Sequence, residues 1–383
     1  MLDIVVLAAG KGTRMKSDLP KVLHPIAGKP MLGHVLDRAR ELEQADTQLH
    51  IISGYGSEKV KAMFAADDVN FVLQAEQLGT GHAVLQVLPN IGSDGKVLIL
   101  YGDVPLIEPE TLQTLVNTAN ESTLALLTVS MDDPTGYGRI IRGEDGDVVG
   151  IVEHKDATEM QRAITEVNTG ILALDTKHLH QWLPLLTNDN SQQEYYLTDI
   201  IAMAANAGVV VQAVNPNSVY EVQGVNDRRQ LNELERWHQV QRANQLMLSG
   251  VTLADPSRID VRGSLTTGKD IIIDINVIFE GIVNIADDVV IGHNVSIKNS
   301  SIGTGTRIEA NTVIEDALIE GNCIVGPFAR IRHGTQLQDG AKVGNFVETK
   351  KSVIGKGAKV NHLTYIGDAE IGEGTNIGAG TIT

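Results

Sequence analysis

The sequence predicts two architectures in one chain: an α/β domain built on a mostly parallel sheet, then a solenoid of parallel β-strands. Three observations carry this. Over about the first 225 residues, short β-rich runs alternate with helical patterns, as crossover units do. From Val251 to Thr383 the composition shifts to 21 Ile and 13 Val against 5 Leu, which favours strands over helices. In that same stretch an aliphatic residue returns every six positions, a period that fits stacked coils and neither an ordinary helix nor a simple strand.

Along the first part, Asp3–Leu7 reads as a strand, Met31–Leu42 as a helix, His50–Ser53 as a strand and Ser57–Ala65 as a helix. The runs IVVL and VLILY have no polar break, as a sheet covered on both faces requires. Between Asn226 and Gly250, Leu231, Leu234, Trp237, Val240, Leu246 and Met247 fall at helical spacing. Asn226 or Asp227 can cap the start and Gly250 the end. This helix either closes the first domain or connects it to the next. The expected division is residues 1–225, a helix over 226–250, and residues 251–383.

The six-residue repeat begins at Ile285, Ile291 and Ile297, passes through Ile331 and Leu337, and ends at Ile371 and Ile377, with Thr349 its one polar member. Glycine often follows the aliphatic position, as at Gly292, Gly303 and Gly355. Five-residue steps after Ile297, Ile314, Thr349 and Ile366 tighten corners, so coils of 17 or 18 residues restore the register. The pattern resembles the hexapeptide-repeat β-helix, and that resemblance implies left-handed winding. The register runs to the final NIGAGTIT without a polar cap, so a longer natural protein is expected.

A chain of 383 residues has room for two or three domains, and no apolar run approaches the ~20 residues that cross a bilayer. With 31 Lys and Arg against 48 Asp and Glu, the formal charge is −17, which argues against nucleic-acid or anionic-membrane binding. An anionic substrate therefore needs a local cluster of cations. The single Cys323 cannot form an intrachain disulfide, and MLDIVVLAAG lacks a basic leader, so the compartment is read as cytosol. His24, His34, His82, His154, His178, His180 and His333 show no metal-ligand spacing.

The segment LAAGKGTRM, Leu7–Met15, follows a buried strand, with Pro20-Lys21 shortly after. It is not a Walker loop, because no Ser or Thr follows Lys11, and not the dinucleotide fingerprint, because a third glycine is missing. Its glycines either make a tight turn or let backbone N–H groups approach a phosphate or base. Asp103 ends the strand-like run Val97–Tyr101, where open α/β sheets meet ligands; it is either a turn former before Pro105 or an oxygen ligand for Mg²⁺.

Leu-x-x-Gly-x-Gly-Thr-Arg-Met followed by Pro-Lys is similar to the signature of the sugar-1-phosphate nucleotidyltransferases. QAEQLGTGHA (Gln74–Ala83), LYGDVPL (Leu100–Leu106), GYGRI (Gly136–Ile140), IVEHKDA (Ile151–Ala157), NTG (Asn168–Gly170) and GVNDR (Gly224–Arg228) narrow the match. Together they resemble the bifunctional bacterial N-acetylglucosamine-1-phosphate uridyltransferase family, in which a β-helix with glucosamine-1-phosphate N-acetyltransferase activity follows. The resemblance implies UTP, N-acetylglucosamine-1-phosphate and Mg²⁺ at the first site, in bacterial cell-envelope precursor synthesis. It assigns Asp103 and Asn226 to the metal and Arg14 and Lys21 to the triphosphate. Leu7, Ala8, Ala9, Gly10, Gln74, Gly79 and Thr80 would hold the uridine nucleotide, and Tyr101, Gly102, Gly138, Glu153 and Asn168 the nucleotide or the N-acetylated sugar.

In the repeats, Arg332 and Lys350 stand 18 residues apart at one hexad position, and Asn345 and His362 stand 17 apart at another. Stacked cations repel unless an anion lies beside them, and with Tyr365 these groups are expected to converge on one corner. The resemblance assigns Arg332, Lys350, Tyr365 and Asn376 to glucosamine-1-phosphate, His362 to the general base and Ala379 to a backbone contact with acetyl-CoA. An unperturbed imidazole titrates at about 6.5, suited to taking a proton from an amine. The resemblance also implies a homotrimer, with further coils and a C-terminal arm completing the acetyl-CoA site, so acetyl transfer by the chain as it stands is expected to be poor or absent. Two rivals remain: another sugar nucleotidyltransferase, such as an ADP-glucose or dTDP-glucose synthase, and a non-catalytic regulatory subunit of the same layout, as in translation-factor exchange complexes.

Overall fold

The computed structural model describes residues 1–42 and 46–383. They form two compact units, one of Met1–Pro25 with Pro30–Leu234, the other of Ile26–Lys29 with Glu235–Thr383. Among the described residues no helix is long and apolar enough to cross a membrane.

The main path of the first unit's sheet uses β1 (Leu2–Ala8), β2 (Thr47–Ser53), β3 (Asn70–Leu73), β4 (Lys96–Tyr101), β5 (Thr123–Ser130), β6 (Glu166–Asp175) and β7 (Val210–Val214). Their order in space is β7-β5-β6-β4-β1-β2-β3. Only β6 on this path runs antiparallel to its neighbours. β1 is buried along its whole length: Ile4 and Val6 enter one core with helix Met31–Arg40, and Val5 and Leu7 enter another with helix Thr80–Val87. Because successive side chains point to opposite faces, two covered faces demand an unbroken apolar run. The chain leaves β1 for β2 and β3 on one side and then crosses to β4 on the other. The carboxyl ends of β1 and β4 therefore flank a topological switch point, where such sheets bind ligands.

The helix expected over 226–250 spans Arg228–Leu248. Asp227 caps it, its Oδ1 accepting from the N–H groups of Arg229 and Gln230 at 2.9 Å each, and Gly250 follows its end at φ 99°. The left-handed conformation there suits a residue without a Cβ.

From Val251 the second unit is a continuous run of parallel strands, the β-helix that the repeat predicts, left-handed as the resemblance implies. Ile285 pairs in register with Ile302, then Ile319, Leu337, Ile354 and Ile371 follow in the same column. Columns from Ile291 and Ile297 behave alike, and the three merge into one core. Thr349 fits this core because its hydroxyl lies 3.2 Å from that of Thr335, and both residues are buried. At one corner Asn276, Asn294 and Asn311 take φ near 60°. Their side-chain amides bond in a ladder at 2.9 and 3.1 Å, which offsets the cost of the left-handed turn.

Thr349→Val strands the Thr335 hydroxyl and is expected to cost about 1–3 kcal/mol in urea unfolding, whereas adding Thr335→Val recovers most of that loss.

Candidate active sites

At the switch point the chain turns from β1 through Gly10 and Gly12. A Cβ on Gly12, at φ 58°, would lie 2.7 Å from the Cβ of Lys21, so this glycine lets the lysine pack against the loop. A Cβ on Gly10 would meet nothing within 4 Å, so this position faces open space. Lys21 points its ammonium at the Asp103 carboxylate just past β4, and Asn226 Oδ1 lies 3.4 Å from the same ammonium. The two charged side chains are 14% and 15% exposed. The Asp103 carbonyl accepts from Val225 N–H at 2.9 Å, which brings the neighbouring Asn226 alongside.

These groups open on a cavity of about 280 Å³ lined by Leu7, Ala8, Ala9, Gly10, Lys21, Val22, Gln74, Gln77, Gly79, Thr80, Ala83, Tyr101, Asp103 and Glu194. Ten of the sequence-predicted residues thus share one cavity. Gly102 lies beside it, its N–H bonded to Leu7 O at 3.0 Å. Gln77 and Glu194 were not anticipated. Gln77 falls inside a motif already singled out, while Glu194 comes from a distant segment with no local signal. Gly79 is required there, since at φ 114° a Cβ would sit 2.5 Å from Tyr195 O. Burial, then the charges of Glu153 and Asp103, push the Tyr101 phenol up.

Gly138, Glu153 and Asn168 form a second group. A Cβ on Gly138 would lie 3.5 Å from the Glu153 carboxylate, and Asn168 N–H donates to Gly138 O at 2.9 Å. Asn168 pairs with Thr128 of β5 as the last residue before a register shift that ends at Leu172, and its Oδ1 accepts from Gly170 N–H at 2.9 Å. Beside them the buried Arg139 guanidinium donates to the carbonyls of Tyr137 and Arg162, pinning the loop before Gly138. Burial raises the Glu153 carboxyl above its ordinary range, while Thr198 Oγ1, donating at 3.1 Å, opposes this. Arg14 stands apart: it is exposed on the turn Thr13–Met15, and its charge is felt at the Asp227 carboxyl.

The donor set at Lys21 consists of one carboxylate and one amide oxygen already facing a cation, which fits a hard divalent ion. Among the described residues no group of three or more His, Cys, Asp or Glu could hold a metal alone, so substrate oxygens and water would complete its shell.

In the β-helix, Asn345 and His362 are register partners, and Asn345 Oδ1 is 2.7 Å from His362 Nδ1. Continuing the register from Val360 and Ile377 puts Ala379 one coil beyond His362 in the same column. Arg332 and Lys350 follow the paired Ile331 and Thr349, but the expected meeting at one corner does not occur. His362 precedes the left-handed turn at Leu363, whereas Arg332 and Lys350 precede the next turn, at Gly334 and Lys351. One full side of the prism, carrying Tyr365, separates them, because the hexad period fixes position along a coil and not which corner a side chain serves. Glu348, missed from the sequence, pairs with Arg332 at 2.7 Å and is the register partner of Tyr365. Asn376 lies on the His362 side, 3.5 Å from the Asn361 amide.

A glycine-lined strand end, a lysine–aspartate pair at the switch point and a mostly parallel sheet define a nucleotidyltransferase, and residues 4–247 match the family model described as a MobA-like NTP transferase domain. The likeness extends over the whole chain to proteins named bifunctional protein GlmU. That of Marinobacter nauticus is 57% identical over 382 residues, covering 100% of this chain and 84% of the relative. That of Cellvibrio japonicus is 58% identical over 383 residues with the same coverage, and that of Pseudomonas putida KT2440 is 58% identical, with 83% of the relative covered. The chain belongs to this bifunctional GlmU family. Nucleotidyltransferases of the family use a divalent metal and act on nucleotide and sugar-phosphate substrates.

Because burial raises its carboxyl, Glu153 binds its proton more tightly in the folded chain, so folding loses stability as pH rises past the ordinary carboxylate range. Glu153→Gln is therefore expected to gain more stability over wild type at pH 8 than at pH 5, as measured by urea denaturation at both.

Proposed function

We propose that the first unit transfers UMP from UTP to N-acetylglucosamine-1-phosphate, giving UDP-N-acetylglucosamine and pyrophosphate, with Mg²⁺ as the divalent ion and residues 1–225 as the uridyltransferase domain. The observation that carries this is the Lys21 ammonium held between Asp103 and Asn226 beside the open space at Gly10. A phosphate oxygen of the sugar phosphate attacks the α-phosphorus, and the bond to the pyrophosphate oxygen breaks. Both reactants are anions, so the work is neutralisation and alignment. Asp103 and Asn226 would hold Mg²⁺, which supplies charge neutralisation between the phosphates. Lys21, no longer needed by Asp103, then turns to the departing pyrophosphate, with Arg14 on the exposed side. The Gly10 turn admits the nucleotide, and Gly138, Glu153 and Asn168 take the N-acetylated sugar.

The β-helix, residues 251–383, carries groups for acetylating glucosamine-1-phosphate with acetyl-CoA, an activity of the longer natural protein. Asn345 Oδ1, accepting from His362 Nδ1–H, leaves Nε2 bare to take the proton of the attacking amine. The thioester then loses its thiol as the amide forms. Arg332, Lys350, Tyr365 and Asn376 hold the sugar phosphate, and the backbone at Ala379 contacts acetyl-CoA. Because these groups occupy different corners, one chain supplies an open face and not a pocket, which supports a homotrimer. A second observation agrees. At the corner where Asn276, Asn294 and Asn311 form a ladder, the next three coils place Phe328, Phe346 and Leu363 at φ 55°, 56° and 45°, 50%, 57% and 63% exposed. Bulky residues resist that conformation by about 1–2 kcal/mol, and an apolar ridge held against this cost suits a neighbouring subunit. The protein is placed in the cytoplasm, where UTP and acetyl-CoA are made.

Uridyl transfer is tested by pyrophosphate release from UTP and N-acetylglucosamine-1-phosphate. Asp103→Ala should lower it by on the order of 10³-fold with an unchanged circular dichroism spectrum; retained turnover, or a preference for ATP or dTTP, would overturn the reading. Phe346→Asn should relax the turn and interrupt the apolar ridge, giving a folded monomer by analytical ultracentrifugation where the wild-type chain is a trimer.

A further inference from the structure

The cavity lining divides by chemistry. Lys21 and Asp103 are charged and suit phosphates, whereas Gln74, Gln77, Gly79 and Thr80 are neutral hydrogen-bonding groups suited to a base. Gln74 follows β3 and is 3% exposed. Its Nε2 lies 3.2 Å from Gly79 O and 3.0 Å from His82 Nδ1. His82 belongs to the helix Thr80–Val87 and does not line the cavity.

We propose that His82 is a positioning residue that fixes the orientation of the Gln74 amide, and through it a preference for nucleobases that offer a ring N–H; this rests on the uridyl-transfer reading above. Which end of a glutamine amide is nitrogen, and which imidazole nitrogen bears the proton, follow from the surrounding network. Gly79 O can only accept. It also accepts from Ala83 N–H at 3.1 Å in the first helical turn, and Gly79 is wedged against the Tyr195 backbone, so this carbonyl cannot turn away. A flipped Gln74 would set its oxygen 3.2 Å from that carbonyl oxygen. The nitrogen therefore faces Gly79 O and His82 Nδ1, and both of its hydrogens are used.

His82 Nδ1 must then be the bare nitrogen, with the proton on Nε2. That nitrogen is 3.2 Å from the side-chain amide of Gln86. The Gln86 amide nitrogen also donates to His82 O at 3.2 Å, which fixes it as a donor, so it makes no bond to the Nε2–H. With its nitrogen committed to Gly79 O and His82 Nδ1, Gln74 keeps Oε1 as the atom free to accept. Uracil offers N3–H to such an acceptor; cytosine presents a bare N3 at the same place and would face it lone pair to lone pair. A site built to accept from the correct base discriminates strongly against one that lacks the hydrogen.

The test is steady-state pyrophosphate release with UTP and with CTP by the wild type, His82→Phe, His82→Ala and His82→Asn, with melting temperatures taken alongside. Phe and Ala remove the acceptor at Nδ1; Asn can supply one through Oδ1. In the first two variants the KM for UTP is expected to rise about five- to tenfold with kcat within about twofold, and the UTP-to-CTP ratio of kcat/KM to fall about tenfold. His82→Asn is expected to restore most of that ratio. An unchanged ratio in a folded Phe or Ala variant, or an Asn variant no better than Phe, would overturn the role of His82 while leaving uridyl transfer standing. Wild-type enzyme that fails to use UTP would overturn both.

Discussion

The first unit depends on a single arrangement: a lysine ammonium lodged between a carboxylate and an amide oxygen where two central strands end. Asp103 is mostly buried in a chain of formal charge −17, and a buried carboxylate without a partner would cost several kcal/mol. Lys21 removes that cost. Gly12 in turn makes room for Lys21, since any Cβ there would strike it. The chain itself thus demands Gly12, whereas Gly10 faces open space beside the cavity.

The β-helix handles charge in a similar way. Arg332 would face Lys350 in the next coil, and Glu348 lies close enough to neutralise it. Its charge is held in place by that neighbour. His362 is likewise set by Asn345 from the preceding coil. In both units, the polar groups of the proposed sites are oriented by neighbouring side chains.

Much of this was legible from residue order because two periods are rigid. The hexad column from Ile285 to Ile371 stacks as counted, and even Thr349 keeps its place through Thr335. The pairing of Asn345 with His362 follows from the same count. The strand-end position of Asp103 follows from an unbroken apolar run. What could not be read is where side chains reach across the fold. Glu194 enters the cavity at the switch point from a distant segment, and Glu348 reaches across to Arg332 in the preceding coil. The corner expected to gather His362 with Arg332 and Lys350 is instead one whole side, because a period of six places residues on coils without saying which turn they flank.

The most direct measurement is a crystal structure with UTP and Mn²⁺ substituted for Mg²⁺, located by its anomalous scattering. The account predicts an anomalous peak touching the Asp103 carboxylate and the Asn226 side-chain oxygen, with the Lys21 ammonium moved onto the phosphates. A peak elsewhere, with the Lys21–Asp103 pair still closed and the nucleotide bound, would contradict it.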